Sequence, residues 1–288
     1  MKDAWGKWGA SDEIGALNLI STAEVRAAAG LVRQGRVFNL AQEISSAMPV
    51  PAHRLGVTHL MGRDGGDYSA GARRPGGFQF SEDTVVMPLH TGTHVDALCH
   101  CWYDDALYNS FPGDGVRSKG AERLGIQTMP PVVTRGVLLD FVTLNGAPLE
   151  DGTAIGAEAL RAAIEQSGTA LQPGDAVLLR TGWQESLAAR TPNFNAEPGI
   201  DLEAALVLAE AGVAMVAADN FAVEVLPFAE GTVFPVHQRL IRDFGIPLLE
   251  GLVLQPLSEA GSNEFLFMAA PLPIKGGTGS PITPIAVL

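Results

Sequence analysis

Three of the chain's six histidines fall between positions 90 and 100, in the run His90-Thr-Gly-Thr-His94-Val-Asp96-Ala-Leu-Cys-His100. A scatter of six histidines over 288 residues rarely gathers them this way, and the aspartate among them makes the run a candidate metal site. In an extended segment, side chains two positions apart project to one side, so His94 and Asp96 are expected to share a face. Gly92 lets the backbone turn tightly after the short β-branched stretch Thr84-Val-Val-Met, so that His90 can swing towards them. Two imidazoles and a carboxylate suit zinc or manganese and leave coordination positions open for water. Thr91 and Thr93 are expected to orient these ligands through their hydroxyls.

Far downstream, Pro235-Val-His237 opens a short amphipathic stretch, and Leu-Leu-Glu250 ends a strand that starts after Gly245. Each is weak alone. Together they supply the extra imidazole and carboxylate that a second metal would need. Other chemistries lack their motifs: there is no Gly-x-Ser-x-Gly elbow, no phosphate loop ending in Lys-Ser/Thr and no Gly-x-Gly-x-x-Gly. Cys99 is a poor nucleophile for His100, because adjacent residues in a strand face opposite ways. Cys101 reads as a small buried hydrophobe.

These residues must be positioned by a folded core, and the composition allows one: 47% hydrophobic and 18% charged residues are ordinary for a globular chain. A net charge of −13 argues against a nucleic-acid or anionic-membrane partner, since phosphate binding needs clustered Lys and Arg. The start of the chain has no basic-then-apolar leader, no segment is long and apolar enough to span a bilayer, and two cysteines two positions apart make no disulfide framework. A reduced, cytoplasmic protein is expected.

The elements alternate. A capping box at Ser21 and Glu24 opens a helix to about Val32. Buried strands are expected from Gly136, over Ala176–Arg180, over Val213–Ala218, from Gly251 to Leu254 and over Glu264–Ala270. Helices are expected from Ile155 to a stop at Gly168, over Leu202–Ala211, and from His237 to Phe244, stopped by Gly245. That pattern predicts an α/β fold with a mixed sheet, in one domain spanning 1–288. Residues 1–20 read as an ordered arm, because Trp5, Trp8, Ile14, Leu17 and Leu19 need burial, and residues 46–80 as a long loop covering a pocket or a partner. Trp5, Trp8, Phe80, Trp102 and Phe221 are core or interface aromatics first and pocket walls second. His59 reads as a surface loop residue.

The run from His90 to His100 resembles the signature of the cyclase family of metal hydrolases, which includes bacterial kynurenine formamidase, isatin hydrolase and a trans-dienelactone hydrolase. The resemblance extends to Trp8-Gly-x-x-Asp12-Glu-x-Gly-x-Leu-Asn18, to the His237–Glu250 segment and to Pro271-Leu-Pro-Ile-x-Gly-x-x-Gly-Ser280-Pro. It implies a swivelling β/β/α fold assembled as a homodimer or larger. It implies that His90, His94 and Asp96 hold a first divalent ion, manganese or zinc, and that Asp96, His237 and Glu250 complete a second site in two-metal members. His100 matches the catalytic acid/base. Leu98 stands where the short formamidase motif has proline, which turns the resemblance towards isatin and dienelactone hydrolases. The expected activity is hydrolysis of a small carbonyl substrate: a cyclic amide, a lactone or an N-formyl amide. The competing expectation is a non-catalytic binding or assembly protein with a structural His/Asp metal site, although such sites are normally closed by four ligands and favour cysteine.

Overall fold

The computed structural model describes residues 3–187 and 192–288. At its centre is a nine-stranded mixed sheet. In chain order its strands are β1 (Val37–Asn39), β4 (His94–Asp96), β5 (Val132–Asp140), β6 (Ala176–Arg180), β7 (Met215–Ala218), β8 (Leu248–Glu250), β9 (Glu264–Ala269), β10 (Gly279–Pro281) and β11 (Ile285–Val287). Two further strands, β2 (Thr58–Arg63) and β3 (Glu82–Val86), form a hairpin of their own.

Across the sheet the order is β1-β11-β9-β5-β6-β7-β8-β4-β10. The middle four strands, β5 to β8, run parallel to one another, and both flanks are antiparallel. Parallel strands need crossovers, and the two helices read from the sequence provide them: α2 (Ala157–Ser167) joins β5 to β6, and α3 (Leu202–Ala211) joins β6 to β7. Both end on a glycine in the left-handed region, Gly168 and Gly212. With helices over them, β6 and β7 are buried at every position, which is why Ala176 to Leu179 and Met215–Ala218 read as unbroken apolar runs. β9 alternates instead, sending Phe265, Phe267 and Ala269 into the core.

The capping box at Ser21 forms, and α1 (Thr22–Ala29) stops at Gly30, three residues short of the expected end. The arm before it is ordered by polar pins. Trp5 Nε1 donates to the Arg242 carbonyl at 2.9 Å, Asn109 Oδ1 accepts the Gly6 amide at 2.8 Å, and the Ala4 amide donates to Asp243 O.

Four expectations change. The strand expected to end at Glu250 forms over Leu248–Glu250, and the one expected over Gly251–Leu254 does not, because Gly251 (φ +68°) breaks the ladder. The segment 46–80 is not loop throughout, since Thr58–Arg63 pair with Glu82–Val86. The stretch from Thr84 leading to His90 belongs to that exposed hairpin rather than to the main sheet. The helix expected from His237 begins at Pro235 and continues as a π-helix over Gln238–Asp243. Among the described residues no helix is long and apolar enough to cross a membrane.

Candidate metal centre

The antiparallel register of β8 on β4 places Glu250 directly opposite His94. Facing residues in such a pair stand about 5 Å apart at Cβ, close enough for their side chains to meet. They do: His94 Nε2 lies 3.0 Å from Glu250 Oε2. Asp96, two residues along β4, projects to the same side, as its alternation requires, and His94 Nε2 is 3.8 Å from Asp96 Oδ1. The turn at Gly92, with φ +62°, folds His90 back so that its Nδ1 comes within 2.7 Å of Asp96 Oδ1. The other Asp96 oxygen, Oδ2, faces His100 Nε2 at 3.8 Å and His237 Nε2 at 3.6 Å. His237 Nε2 in turn lies 3.3 Å from Glu250 Oε1. All six residues singled out in the sequence therefore converge on one buried spot, with Asp96 between the two halves.

Hydrogen bonds to the outer ring nitrogens leave the inner ones free. Nδ1 of His94 meets the Gly92 carbonyl at 2.9 Å, so it carries the proton and Nε2 presents its lone pair. Nε2 of His90 meets Thr278 Oγ1 at 3.0 Å, leaving Nδ1 for the site. Glu224 holds His237: one oxygen accepts its amide at 3.0 Å and its ring Nδ1–H, and the other accepts the Val236 amide at 3.1 Å. Neither buried Glu224 nor half-buried Thr278 stands out in the sequence. Glu224 lies in a stretch with no local periodicity, and only its place 13 residues before His237 hints at a role. Thr91 and Thr93 do not orient the ligands: Thr93 bonds the Gly251 carbonyl at 2.6 Å and accepts the Gln42 amide, while Thr91 Oγ1 has no partner.

The charges respond to this crowding. Burial opposes ionising Asp96, but His100, His90 and His94 around it hold its carboxyl far below the usual range. Burial and Asp96 push Glu250 up, and the imidazoles of His237 and His94 bring it down below its ordinary value. Burial disfavours the charged forms of His94 and His237, yet Glu250 and, for His237, Glu224 outweigh it and raise both. His100 has no such hydrogen-bonded carboxylate, and burial pushes it down to about 4 despite the pull of Asp96. Burial lifts the Cys99 thiol to about 12, which removes it as a nucleophile.

A cation fits the donor set. His90 Nδ1, both Asp96 oxygens and Glu250 Oε1 are buried without a hydrogen-bond partner, even though they crowd one another. Unpartnered buried polar atoms cost roughly 1–3 kcal/mol each, and a shared cation satisfies them together. Two groups of ligand atoms lie within 4.8 Å of one another: His90, Asp96 and His100, and Asp96, His237 and Glu250. His94 sits outside both triads but against Glu250, and His100 sits inside the first one. Imidazole and carboxylate donors of this kind suit a divalent ion.

Residues 38–225 match the model of the Cyclase family, described as "Putative cyclase". This chain belongs to the cyclase family. A crystal structure described as that of a novel cyclase is 38% identical, with 100% of both chains covered and a TM-score of 0.93. Isatin hydrolase A from Ralstonia solanacearum shares the fold at 22% identity and a TM-score of 0.67, over 93% of this chain and 98% of that one. Isatin hydrolase A from Labrenzia aggregata, bound to benzyl benzoate, does so at 21% and 0.65, over 90% and 94%. No curated protein sequence matches the chain. The swivelling β/β/α fold with its mixed sheet is thus the fold of this cyclase-family chain. The matched segment contains the whole run from His90 to His100 and Glu224, while His237 and Glu250 lie beyond it.

The aromatic residues separate by position. Trp5 and Trp8 pack against the core and Phe80 stacks on Phe78 at 5.8 Å. Trp102 is exposed, and Phe221 lines a cavity that reaches His90. His59 stays at the surface, 2.6 Å from Asp83 in the hairpin. Half-buried Arg54 lies with its guanidinium 4.9 Å over the Phe221 ring and donates to the His90 carbonyl.

Proposed function

We propose that the chain is a metal-dependent hydrolase of a small carbonyl substrate: a cyclic amide, a lactone or an N-formyl amide. The observation that carries this reading is the set of buried, unpartnered donor atoms converging around Asp96. His90, His94 and Asp96 would hold one manganese or zinc ion, and Asp96, His237 and Glu250 a second. A divalent ion there supplies a Lewis acid for the carbonyl and lowers the pKa of water towards neutrality. His100 takes the proton of the attacking water and passes it to the leaving nitrogen or oxygen. Its position supports that role: it faces Asp96 from the half-exposed side of the cluster, its side chain 29% accessible where those of His94 and Asp96 are 2% and 1%. Neither cysteine belongs to a ligand group among the described residues, which speaks against a closed structural site.

Elemental analysis of the purified protein, with a panel of lactams, lactones and N-formyl anilines, tests the reading. His100→Ala is expected to keep its metal and lose turnover by roughly 10²–10⁴-fold. Unchanged turnover removes His100 from the mechanism, and a metal-loaded protein inert towards all three classes removes the hydrolase.

The chain is further proposed to act as a homodimer or larger homo-oligomer. The β2–β3 hairpin supports this, because it exposes Leu60, Met61, Val85 and Val86, and a lone two-stranded hairpin is marginal in water. Light scattering that returns a monomer at micromolar concentration would refute it.

A further inference from the structure

A narrow cavity of about 30 Å³ adjoins His90, and three polar groups on its wall have no use in the centre described above. Trp183 Nε1, Gln184 Oε1 and Thr91 Oγ1 are all buried and without a hydrogen-bond partner. Thr91 is 3% accessible and Trp183 2%, so solvent does not satisfy them. Three such atoms around one small space are expensive to leave bare, at roughly 1–3 kcal/mol each. The space takes two or three water-sized groups, at about 10–15 Å³ apiece. At its outer end the cavity shares Pro49, Val50, Phe194 and Phe221 with a second, largely apolar chamber of about 730 Å³. The rings form a connected wall: Trp183 lies 5.9 Å from Phe194, and Phe194 lies 5.0 Å from Phe221.

We propose that Trp183 and Gln184, with Thr91, form a polar recognition subsite between the apolar chamber and the metal centre, and that it selects an amide over an ester. The reading rests on the proposed hydrolase and names its substrate class more closely. The chemistry of the three atoms is what selects. The indole Nε1–H can only donate, so it calls for an oxygen on the ligand. A glutamine Oε1 can only accept, so it calls for an N–H. Thr91 does either. A secondary amide carries both groups in one plane, while an ester or lactone carries only acceptors and leaves Gln184 unpaired. Sites that hydrogen-bond a ligand N–H discriminate strongly against analogues lacking it, because the protein's own polar group is then stranded. The chamber beyond accepts an apolar or aryl body attached to that amide.

Isoindolin-1-one, N-methylisoindolin-1-one and phthalide are a matched series that changes only N–H to N–CH₃ to O. Their affinities for the full chain in MnCl₂ are measured by calorimetry, and hydrolysis of the same three is followed in parallel. Wild type is expected to bind isoindolinone about tenfold tighter than the other two, the worth of one hydrogen bond to a buried partner. In Gln184→Met the ratio of lactam to lactone affinity is expected to collapse towards one. Trp183→Phe keeps the ring, removes the donor and is expected to weaken lactam and lactone alike, since both present the carbonyl oxygen. Equal wild-type affinities for the three ligands, or a lactam preference that survives Gln184→Met, would overturn the subsite. Hydrolysis of none of them with the preference intact would instead overturn the hydrolase and leave the subsite standing.

Discussion

Gly279 is the position at which one methyl group tests the construction of the metal centre. It sits in β10 opposite Asp96, where the register would otherwise place a side chain beside the cluster. A Cβ built there would lie 2.6 Å from Cε1 of His90, 3.0 Å from its Nε2 and 2.9 Å from the Val95 carbonyl oxygen. Favourable carbon contacts begin at about 3.5 Å, so in Gly279→Ala the His90 ring must retreat by about 1 Å. It has little room: the His100 ring is 4.1 Å away by centroid and the His94 ring 5.2 Å, and Thr278 is hydrogen-bonded to its far nitrogen. Displacement of this size costs on the order of 10²-fold in turnover when it reaches the reacting groups. The lost ligand orientation lowers metal affinity by about 10–100-fold, and overpacking destabilises the fold by about 1–3 kcal/mol. Metal content after dialysis, kcat/KM on the best substrate of the panel and a urea midpoint read the three effects. Gly65→Ala, whose Cβ would meet nothing within 4 Å, is the control. A Gly279→Ala protein with wild-type metal affinity and wild-type kcat/KM would show that His90 is not held at the centre through its fit against this strand.

Glu224→Gln leaves one oxygen where two serve the Val236 and His237 amides and the His237 ring, so metal affinity is expected to fall about 10–100-fold in a metal titration; an unchanged titration refutes the orienting role. Dialysis against a chelator is expected to abolish turnover reversibly while circular dichroism keeps its wild-type shape, whereas unfolding on metal loss would favour a structural ion. Asp219 gives a pH prediction away from the metal. Burial raises it to about 6 from 3.8, although the Thr181 and Gly182 amides and the Thr181 hydroxyl donate to it. A carboxyl raised in the folded state favours folding while protonated, so this contribution is present below about pH 4 and is lost as pH rises through 6. It amounts to at most about 3 kcal/mol at 1.36 kcal/mol per unit. Urea midpoints of the metal-free protein from pH 4 to 7 should fall less steeply in Asp219→Asn than in wild type, since buried His94, His237 and Glu197 share the downward trend, and equal slopes would refute the assignment.

The readable part of this site and the hidden part divide along the range of the interactions that build them. His94 and Asp96 share a face because a strand alternates, and His90 joins them because Gly92 turns; both follow from neighbours in sequence. His237 and Glu250 are only weak candidates until the resemblance singles them out, since their meeting with Asp96 depends on β8 pairing antiparallel to β4 at the flank of a parallel sheet. No local periodicity encodes that register. Glu224 escaped altogether because it follows Val223 and serves a helix capped by Phe234, both residues in left-handed conformations, which favour no particular sequence signal in non-glycine residues. The Thr91 and Thr93 hydroxyls went the other way: their place beside the ligands suggested orienting bonds, but alternation turns Thr93 from His94 towards the Gly251 carbonyl. Thr91, on the other side of the Gly92 turn, lies against the cavity that Trp183 and Gln184 line. Residues adjacent to a ligand in sequence thus face away from the metal, and those that orient the ligands come from other elements. A substitution that shifts the β4–β8 register should therefore lose the metal even with every ligand present.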